Sequence, residues 1–378
     1  MRLVATHRLQ PDMVLGRDVV TGVHGRIPLL RAGVRLREEY RNALLDAGIH
    51  AVYVEDELGA GIRVSPALSE ATREKATKAL VRSFADVPAL AARGGTLSET
   101  TVDELTSVAQ LIARDIADAD DAVLALSDLA AADQYTLQHS IDVTALGILI
   151  ARNHFQRHGH PVSLGKRGYN QTDRQLTKLG VGLLLHDIGK LSIPNAVLNK
   201  PGPLDPEEEK LMRTHPLVGI DLLPGDVVGP LPKSVIRSHH ERFDGAGYPQ
   251  GLAGLDIPEF ARIASVADVF DAITSQRPYA AARPASFGWQ TILENAGTQF
   301  DASIVETFRK VVAPYPPGSE MPLADGRRAV VVAVSGTRID LPLVRVHLDA
   351  AGRPIEPQEL DLGKHPELAP PLRLASAA

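Results

Sequence analysis

KLGVGLLLHDIGK, residues 178–190, is the stretch on which the reading of the fold turns. Its first half is apolar on nearly every side, the pattern of a helix packed among other helices. It runs directly into an adjacent histidine and aspartate, His186 and Asp187. Ionisable groups at the edge of a buried helix are expensive unless something compensates them. Lys190 follows Asp187 by three residues, one turn along the same face, where its ammonium can pair with the aspartate or neutralise an anionic substrate group. A His-Asp pair taken alone is explained as well by a structural ion pair.

Downstream the same conflict recurs. In PLDPEEEKLMRTHP, residues 203–216, Asp205 caps a helix, Pro206 opens it and three glutamates fill its first turn, so a helix ending near His215 is expected. PKSVIRSHHE, residues 232–241, places Ile236, His239 and His240 on one side of a short helix, and two histidines on a core-facing side are unusual for packing alone. In IPEFARIASVADVFDAITSQRPY, residues 257–279, Ile263, Val266, Ala267, Phe270 and Ile273 mark a buried face, with Asp268 and Asp271 on it or beside it. His186, Asp187, His215, His239, His240 and Asp268 thus form one candidate constellation. Neutral imidazoles and carboxylates bound to cations leave no buried charge unpaired. Six ligands exceed one tetrahedral zinc and suit two metals bridged by a carboxylate and a hydroxide, an arrangement that hydrolyses phosphoesters. Fe, Mn, Co, Ni and Zn all match these donors.

The remaining chain frames this centre. Its 378 residues, net charge of −6 and pI near 6.1 fit a globular chain of two or three domains and argue against a polymeric nucleic-acid partner. The absence of cysteine leaves histidine and acidic side chains as the metal ligands. No run approaches the roughly 18 apolar residues of a spanning helix, and the N-terminus has no signal-like apolar core, so a soluble cytoplasmic protein is expected. Residues 1–62 read as a small α/β module: strands near Val19–Val23 and Ala51–Val54 flank the helical LREEYRNALLDAGI, closed by Gly48. Residues 63–129 read as a helical connector starting at Ser65-Pro66 and broken at Arg93-Gly94-Gly95, and residues 130–312 as the metal-bearing helical domain. Residues 313–378 carry AVVVAVS and LPLVRVHLD, strands of a small β-rich segment, before a loose tail. Residues 157–174 read as a long polar loop in which His158 and His160, like the nearby His154, are solvated rather than ligating.

HDIGK, HHERFDGAGYP (residues 239–249), ADVFDAITSQRPY and GTQFD resemble, in order and spacing, the HD-GYP family of the HD phosphohydrolase superfamily, and DQYTLQHSIDVTALG is similar to that family's first helix. The resemblance covers about residues 130–310 and implies a mainly α fold, a helical-bundle HD-type core between the small α/β N-terminal domain and the β-rich C-terminal segment. It implies a binuclear centre of two divalent ions, Fe or Mn foremost, to which His139 is added as a ligand. Asp187 and Lys190 become catalytic residues, with Lys190 on the scissile phosphate and Arg277 on the second phosphate. Gly247, Tyr248 and Pro249 become a rigid turn beside the nucleotide, Gly245 and Gly247 supplying positive φ. Many members carry a basic residue just after the RPY triplet where this chain has Ala280, with Arg283 three positions on as a substitute. Some carry a glutamate for a third metal where this chain has Tyr135, which favours two metals here. The implied activity is hydrolysis of cyclic di-GMP to pGpG by a metal-bridging hydroxide attacking phosphorus, with pGpG or GMP left open as the end product. A weakly catalytic cyclic di-GMP receptor or scaffold, and a hydrolase of another cyclic dinucleotide, are the alternatives. The N-terminal pattern, residues 25–54, is similar to a small domain often placed ahead of HD-GYP modules, which implies a docking or regulatory role toward a protein partner; homodimerisation is open.

Overall fold

A computed structural model describes residues 1–19, 28–119, 135–163, 166–225, 227–275, 283–336 and 338–371. In chain order its elements are β1 (Arg2–Ala5), β2 (Val14–Leu15), α1 (Glu38–Asp46), β3 (Ala51–Glu55), α2 (Glu70–Ala85), α3 (Val87–Ala92), α4 (Glu99–Asp118), α5 (Tyr135–His158), β4 (His160–Ser163) and β5 (Lys166–Gly168). They continue with α6 (Thr172–Leu184), α7 (Asn195–Leu198), α8 (Pro206–Met212), α9 (His215–Asp221), α10 (Pro230–Ser238), α11 (Glu259–Thr274), α12 (Ala285–Glu294) and α13 (Ala302–Val311). The strands β6 (Glu320–Pro322), β7 (Arg328–Ser335), β8 (Arg338–Leu348) and β9 (Pro354–Asp361) complete the chain. The protein is mainly α: a helical core from α2 to α13, a small α/β module before it and a four-stranded antiparallel sheet, β6-β7-β8-β9, after it.

The apolar run that opened the reading becomes α6, the middle of the bundle. Its Leu179, Leu183 and Leu184 are wholly buried, and its two glycines sit where neighbouring helices come close. A Cβ at Gly180 would lie 2.9 Å from the Ala109 Cβ of α4, and one at Gly182 would lie 2.8 Å from the Val235 Cβ of α10 and 3.0 Å from the Pro232 carbonyl oxygen. α4, α5 and α10 therefore pack directly against α6, and one apolar core runs from Leu68 to Val312 through all of these helices.

Several local expectations shift. Ser69, not Ser65, caps α2, its side chain accepting from the Thr72 amide, and the first helical stretch divides at Asp86, one residue before Val87-Pro88. The predicted strand Val19–Val23 lies outside the described residues apart from Val19, which bridges to Leu30. β9, with prolines at 354 and 357, pairs with β8 as an edge strand, where a missing amide donor is tolerated. The start of the tail is fixed, Leu368 accepting from the Ala324 amide and packing on the sheet's core. The α/β module rests on that same sheet: Tyr53, Ile62 and Val64 bury against Val330, and the Arg345 guanidinium donates to the carbonyl oxygen of Leu58 at 2.7 Å. Among the described residues no helix is long and apolar enough to cross a membrane.

Residues 157–174 are not the solvated loop expected from their polarity. They close α5, form the β4–β5 hairpin and open α6, and His154 and His160 are both buried. His160 Nε2 meets the Asn170 carbonyl oxygen at 2.7 Å within the same segment, whereas the partner of His154 comes from distant sequence. His154 Nε2 meets Glu259 Oε1 at 2.9 Å, and Arg167 donates to both Glu259 oxygens at 3.0 and 2.8 Å. Burial by itself would raise the Glu259 carboxyl, but bonds from His154 and Arg167 hold it down at about 2. A depressed carboxyl stabilises the fold above its unfolded pKa, near 4.5, and that stability is lost as pH falls toward 2. Glu259→Gln is therefore expected to lower stability at pH 7 by on the order of 2 kcal/mol, with a gap from wild type that narrows below about pH 4.5. Denaturant melts across pH 7 to 3 read this directly, and a gap independent of pH would refute it.

Candidate metal centre

Three helix ends and two helix interiors deliver the ionisable groups to one place. α6 stops at Leu184, and the chain turns through His186 and Asp187 into a 3-10 turn, Ile188–Ser192. His215 does not end a helix as its sequence context suggested: α8 stops at Met212 and His215 is the first residue of α9. His239 is the C-cap of α10 and His240 follows it. His139 comes from α5, while Asp268 and Asp271 come from α11.

The imidazoles are oriented alike. The Nδ1 groups of His186, His215 and His239 face backbone carbonyl oxygens of Leu183 at 2.7 Å, Met212 at 2.7 Å and Ile236 at 3.0 Å. His139 Nδ1 faces Asp271 Oδ2 at 2.6 Å. Each carbonyl or carboxylate can only accept, so the proton resides on Nδ1 and the Nε2 lone pairs of His186, His215 and His239 point inward, whereas His139 Nε2 also meets a carboxylate, Asp268 Oδ1 at 3.1 Å. His215 Nε2 and His239 Nε2 consequently stand 3.4 Å apart, acceptor facing acceptor. His186 Nε2, His240 Nε2 and Asp187 Oδ1 are buried with no hydrogen-bond partner. Orphaned acceptors are rare in folded proteins and call for a cation or water.

Asp187 lies at the middle of the arrangement. Its Oδ1 is 3.4 Å from His215 Nε2 and 3.6 Å from His239 Nε2, while its Oδ2 is 3.4 Å from His186 Nε2 and 3.7 Å from His139 Nε2. Two compact donor groups result, Asp187, His215, His239 and His240 on one side and His139, His186 and Asp268 on the other, with donor atoms in each group within 4.8 Å of one another. The orphaned acceptors, the nitrogen and oxygen donors and the aspartate between the groups all fit divalent metal ions.

Electrostatics agree with that fit. Burial pushes the His215 imidazole down to about 3, and burial beside His239 also lowers His240, so both rings are neutral donors at pH 7. Burial would likewise lower His139, but hydrogen bonds to Asp268 and Asp271 raise it to about 10. A proton there supplies the positive charge the two carboxylates require, the charge a bound cation supplies instead. Burial raises the carboxyls of Asp187 and Asp268, yet Lys190 and His186 hold Asp187, and His139 holds Asp268, well below the usual range.

Of the expected substrate contacts, Lys190 reaches the centre, its ammonium 2.6 Å from Asp187 Oδ2 and a quarter exposed. Tyr248 stacks on His240 with ring centroids 4.7 Å apart, and the Arg213 guanidinium lies over the Tyr248 ring at 5.1 Å. Gly247 is required by space, not by φ: a Cβ would lie 2.3 Å from the Arg242 amide nitrogen, whereas Gly245 has φ of 81°. Pro249 follows in a cis bond to Tyr248, and the buried Glu241 carboxylate accepts from the amides of Gln250 and Leu252 at 2.7 and 3.0 Å, fastening the turn. Arg277 and Ala280 fall outside the described residues, and of Tyr135 only the backbone is described. Arg283 is exposed and lies over the Phe287 ring at 4.4 Å; it is stacked on α12, not gathered with the histidines.

Glu241 and Arg213 were not singled out from sequence, and Asp271 was placed beside Asp268 without a role. The spacing of Asp271, three residues after Asp268 and so on the same side of α11, was the available signal for one. Because partners that hold a ligating histidine in place are typically worth 10–100-fold in metal affinity or activity, Asp271→Asn is expected to cost about that much. Metal analysis and turnover of the purified variant check it; wild-type values for both would remove Asp271 from any positioning role.

Comparison with known proteins bears on the same stretch. The HD domain family matches residues 164–304. A Pseudomonas aeruginosa protein named a cyclic di-GMP phosphodiesterase is 39% identical over 245 residues, 64% of this chain and 55% of its own length. A Xanthomonas campestris protein named a cyclic di-GMP phosphodiesterase response regulator is 38% identical over 156 residues, 40% of each chain. A Vibrio cholerae protein named a 3′3′-cGAMP-specific phosphodiesterase is 39% identical over 132 residues, 34% of this chain and 28% of its own. The chain thus spans about half the length of the first of these relatives and less of the others. With His186-Asp187 at the end of its central helix, the double histidine after α10 and the Gly-Tyr-Pro turn stacked upon it, residues 164–304 match the HD domain family, and the chain carries there the motifs that resemble the HD-GYP set.

Proposed function

We propose that the protein is a metal-dependent phosphodiesterase that opens cyclic di-GMP to pGpG and then cleaves pGpG to GMP. The observation that carries this reading is Asp187, whose two oxygens face separate groups of imidazole nitrogens. In this proposal Asp187, His215, His239 and His240 hold one divalent ion, and His139, His186 and Asp268 with Asp187 hold the other, Fe or Mn in each. Two such ions, when bound, would lower the pKa of a bound water and offset the charge that builds on the phosphate. The chain's own side chains do the rest. Lys190, fixed on Asp187 and open to solvent on its other side, offers a donor to the scissile phosphate. Tyr248, whose hydroxyl is pushed up by burial and by Asp187 and Asp268, stays protonated and presents a donor beside the same space. Gly247 and Pro249 keep that ring stacked on His240, and Arg277 serves the second phosphate. Arg283 is an auxiliary contact available only if it leaves Phe287.

Residues 1–62 are proposed as a docking unit for a protein partner, residues 63–129 as the helical connector, residues 130–312 as the catalytic domain and residues 313–378 as the β-rich segment carrying the docking unit; a homodimer and a cytoplasmic location complete the proposal. Purification without oxygen, metal analysis and chromatography after incubation with cyclic di-GMP form the test. Appearance of pGpG and GMP with about two metals per chain is expected. Intact nucleotide at the same metal content would replace the enzyme by a receptor. A relative named for 3′3′-cGAMP supports a second reading in which a mixed-base cyclic dinucleotide is the better substrate; a parallel incubation with that nucleotide decides it.

A further inference from the structure

A cleft of about 580 Å³ opens away from the histidines, between α4, α6, the β4–β5 hairpin and the first turn of α10. Its wall is apolar, with Val102, Val181, Leu231 and Pro232 facing it, and its rim carries Lys166 and Lys178. Neither lysine has a carboxylate within ion-pair distance among the described residues, whereas other basic groups of the core, Arg167, Lys190, Lys200 and Arg262, are paired. Gln175 also lines the cleft, and its Oε1 is buried without a hydrogen-bond partner. A buried acceptor left empty beside two unpaired ammonium groups and an apolar wall asks for one kind of occupant. The ligand must bring an anion, a flat or aliphatic body and an N–H donor.

We propose that this cleft is a second ligand site, taking a heterocycle that bears one phosphate, of the size and chemistry of a nucleoside monophosphate. The phosphate sits between Lys166 and Lys178, the ring lies on Val181 and Leu231, and a ring N–H or exocyclic amine donates to Gln175 Oε1 once that side chain, now closed off from solvent, turns toward the cleft.

The placement also links the cleft to the metal centre. α6 carries Gln175, Lys178 and Val181 at the cleft and ends two residues before His186. α10 begins at the cleft with Pro230 and ends at His239. Because Gly182 lets the two helices touch without a side chain between them, they move as one packed pair. A ligand wedged against both changes the spacing of metal ligands at their far ends, where packed cores convert small shifts into discrete ones. This coupling rests on the hydrolase reading, but the binding does not.

The test is calorimetric titration of the metal-loaded full chain with AMP, GMP and inorganic phosphate, in the wild type, in a Lys166→Glu/Lys178→Glu double variant and in Gln175→Leu. Both lysines are on the rim, so folding and metal content should be unchanged, which a melt and metal analysis verify. The wild type should bind AMP and GMP in a component that weakens at least tenfold in the double variant. Gln175→Leu should weaken the nucleotides while leaving phosphate as it was. Superimposable nucleotide titrations for wild type and double variant would overturn the site, and phosphate binding as tightly as the nucleotides would overturn the ring-binding part. Loss of the component with unchanged hydrolysis at saturating AMP would remove the coupling alone. Because binding is read without turnover, failure of the phosphodiesterase assay leaves this result interpretable.

Discussion

Replacing His186 and Asp187 together by alanine is expected to reduce phosphodiester hydrolysis to background, a loss of at least about 100-fold, and to lower bound metal from about two ions per chain to fewer than one. The 100-fold figure is the upper end of what a supporting partner alone is worth, and these residues are placed as the donors themselves. Asp187 faces both groups, so its loss strips each of a carboxylate oxygen, while His186 Nε2 is an orphaned acceptor whose removal leaves no other imidazole between Asp187 and Asp268 on that side than His139. The fold should survive, since the double change removes a buried acid and a buried base together and leaves Lys190, partly exposed, to turn to water. Metal analysis beside an activity assay reads both effects in one preparation. Unaltered metal stoichiometry in this variant would refute the ligand assignment whatever the activity did.

What was readable in the sequence, and what was not, follows the reach of each interaction. His186, Asp187, His239, His240 and Asp268 stood out because each interrupts an apolar run on its own helix, a conflict visible within a dozen residues. His139 had no such local signal: it lies inside a helix buried on many sides, and only resemblance added it. His154 and His160 were misread for the opposite reason. Their surroundings in sequence are polar, and Glu259, which compensates His154, lies on α11, more than a hundred residues away. The same limit hid Asp271 as the partner of His139 and Glu241 as the clamp of the Gly-Tyr-Pro turn, since an acceptor's role depends on which donor arrives. β9 was obscured by its two prolines, which are compatible with a strand only once it is known to be an edge. The helix starting at His215 was hidden by the continuity of helical residues across Arg213 and Thr214, where one helix stops and the next starts without a change of composition.

The second large effect is expected from a residue with no side chain. Gly189 lies two residues after Asp187 in the 3-10 turn, against the start of α9. A Cβ there would fall 2.0 Å from the carbonyl oxygen of His215 and 2.8 Å from the amide nitrogen of Gly219. Both are backbone atoms, so no rotamer change relieves the contact, and Gly189→Ala must push α9 away from the turn by more than an ångström. His215 moves with that helix, and its Nε2 now stands 3.4 Å from Asp187 Oδ1. Overpacking of this kind costs typically 1–3 kcal/mol of stability, but the larger consequence is geometric. A displacement of about 1 Å at a reacting centre is enough to cost on the order of 100-fold in rate. The expected result is a folded protein with turnover reduced by about that factor and with metal lost selectively: the group built on His215 and His239 empties, whereas His139, His186 and Asp268, which α9 does not carry, keep their ion. A stoichiometry near one metal per chain distinguishes this from general unfolding, which would release both. Full metal content with wild-type turnover would mean that the turn and α9 are free to separate without disturbing the centre, and that the close contact at Gly189 positions nothing.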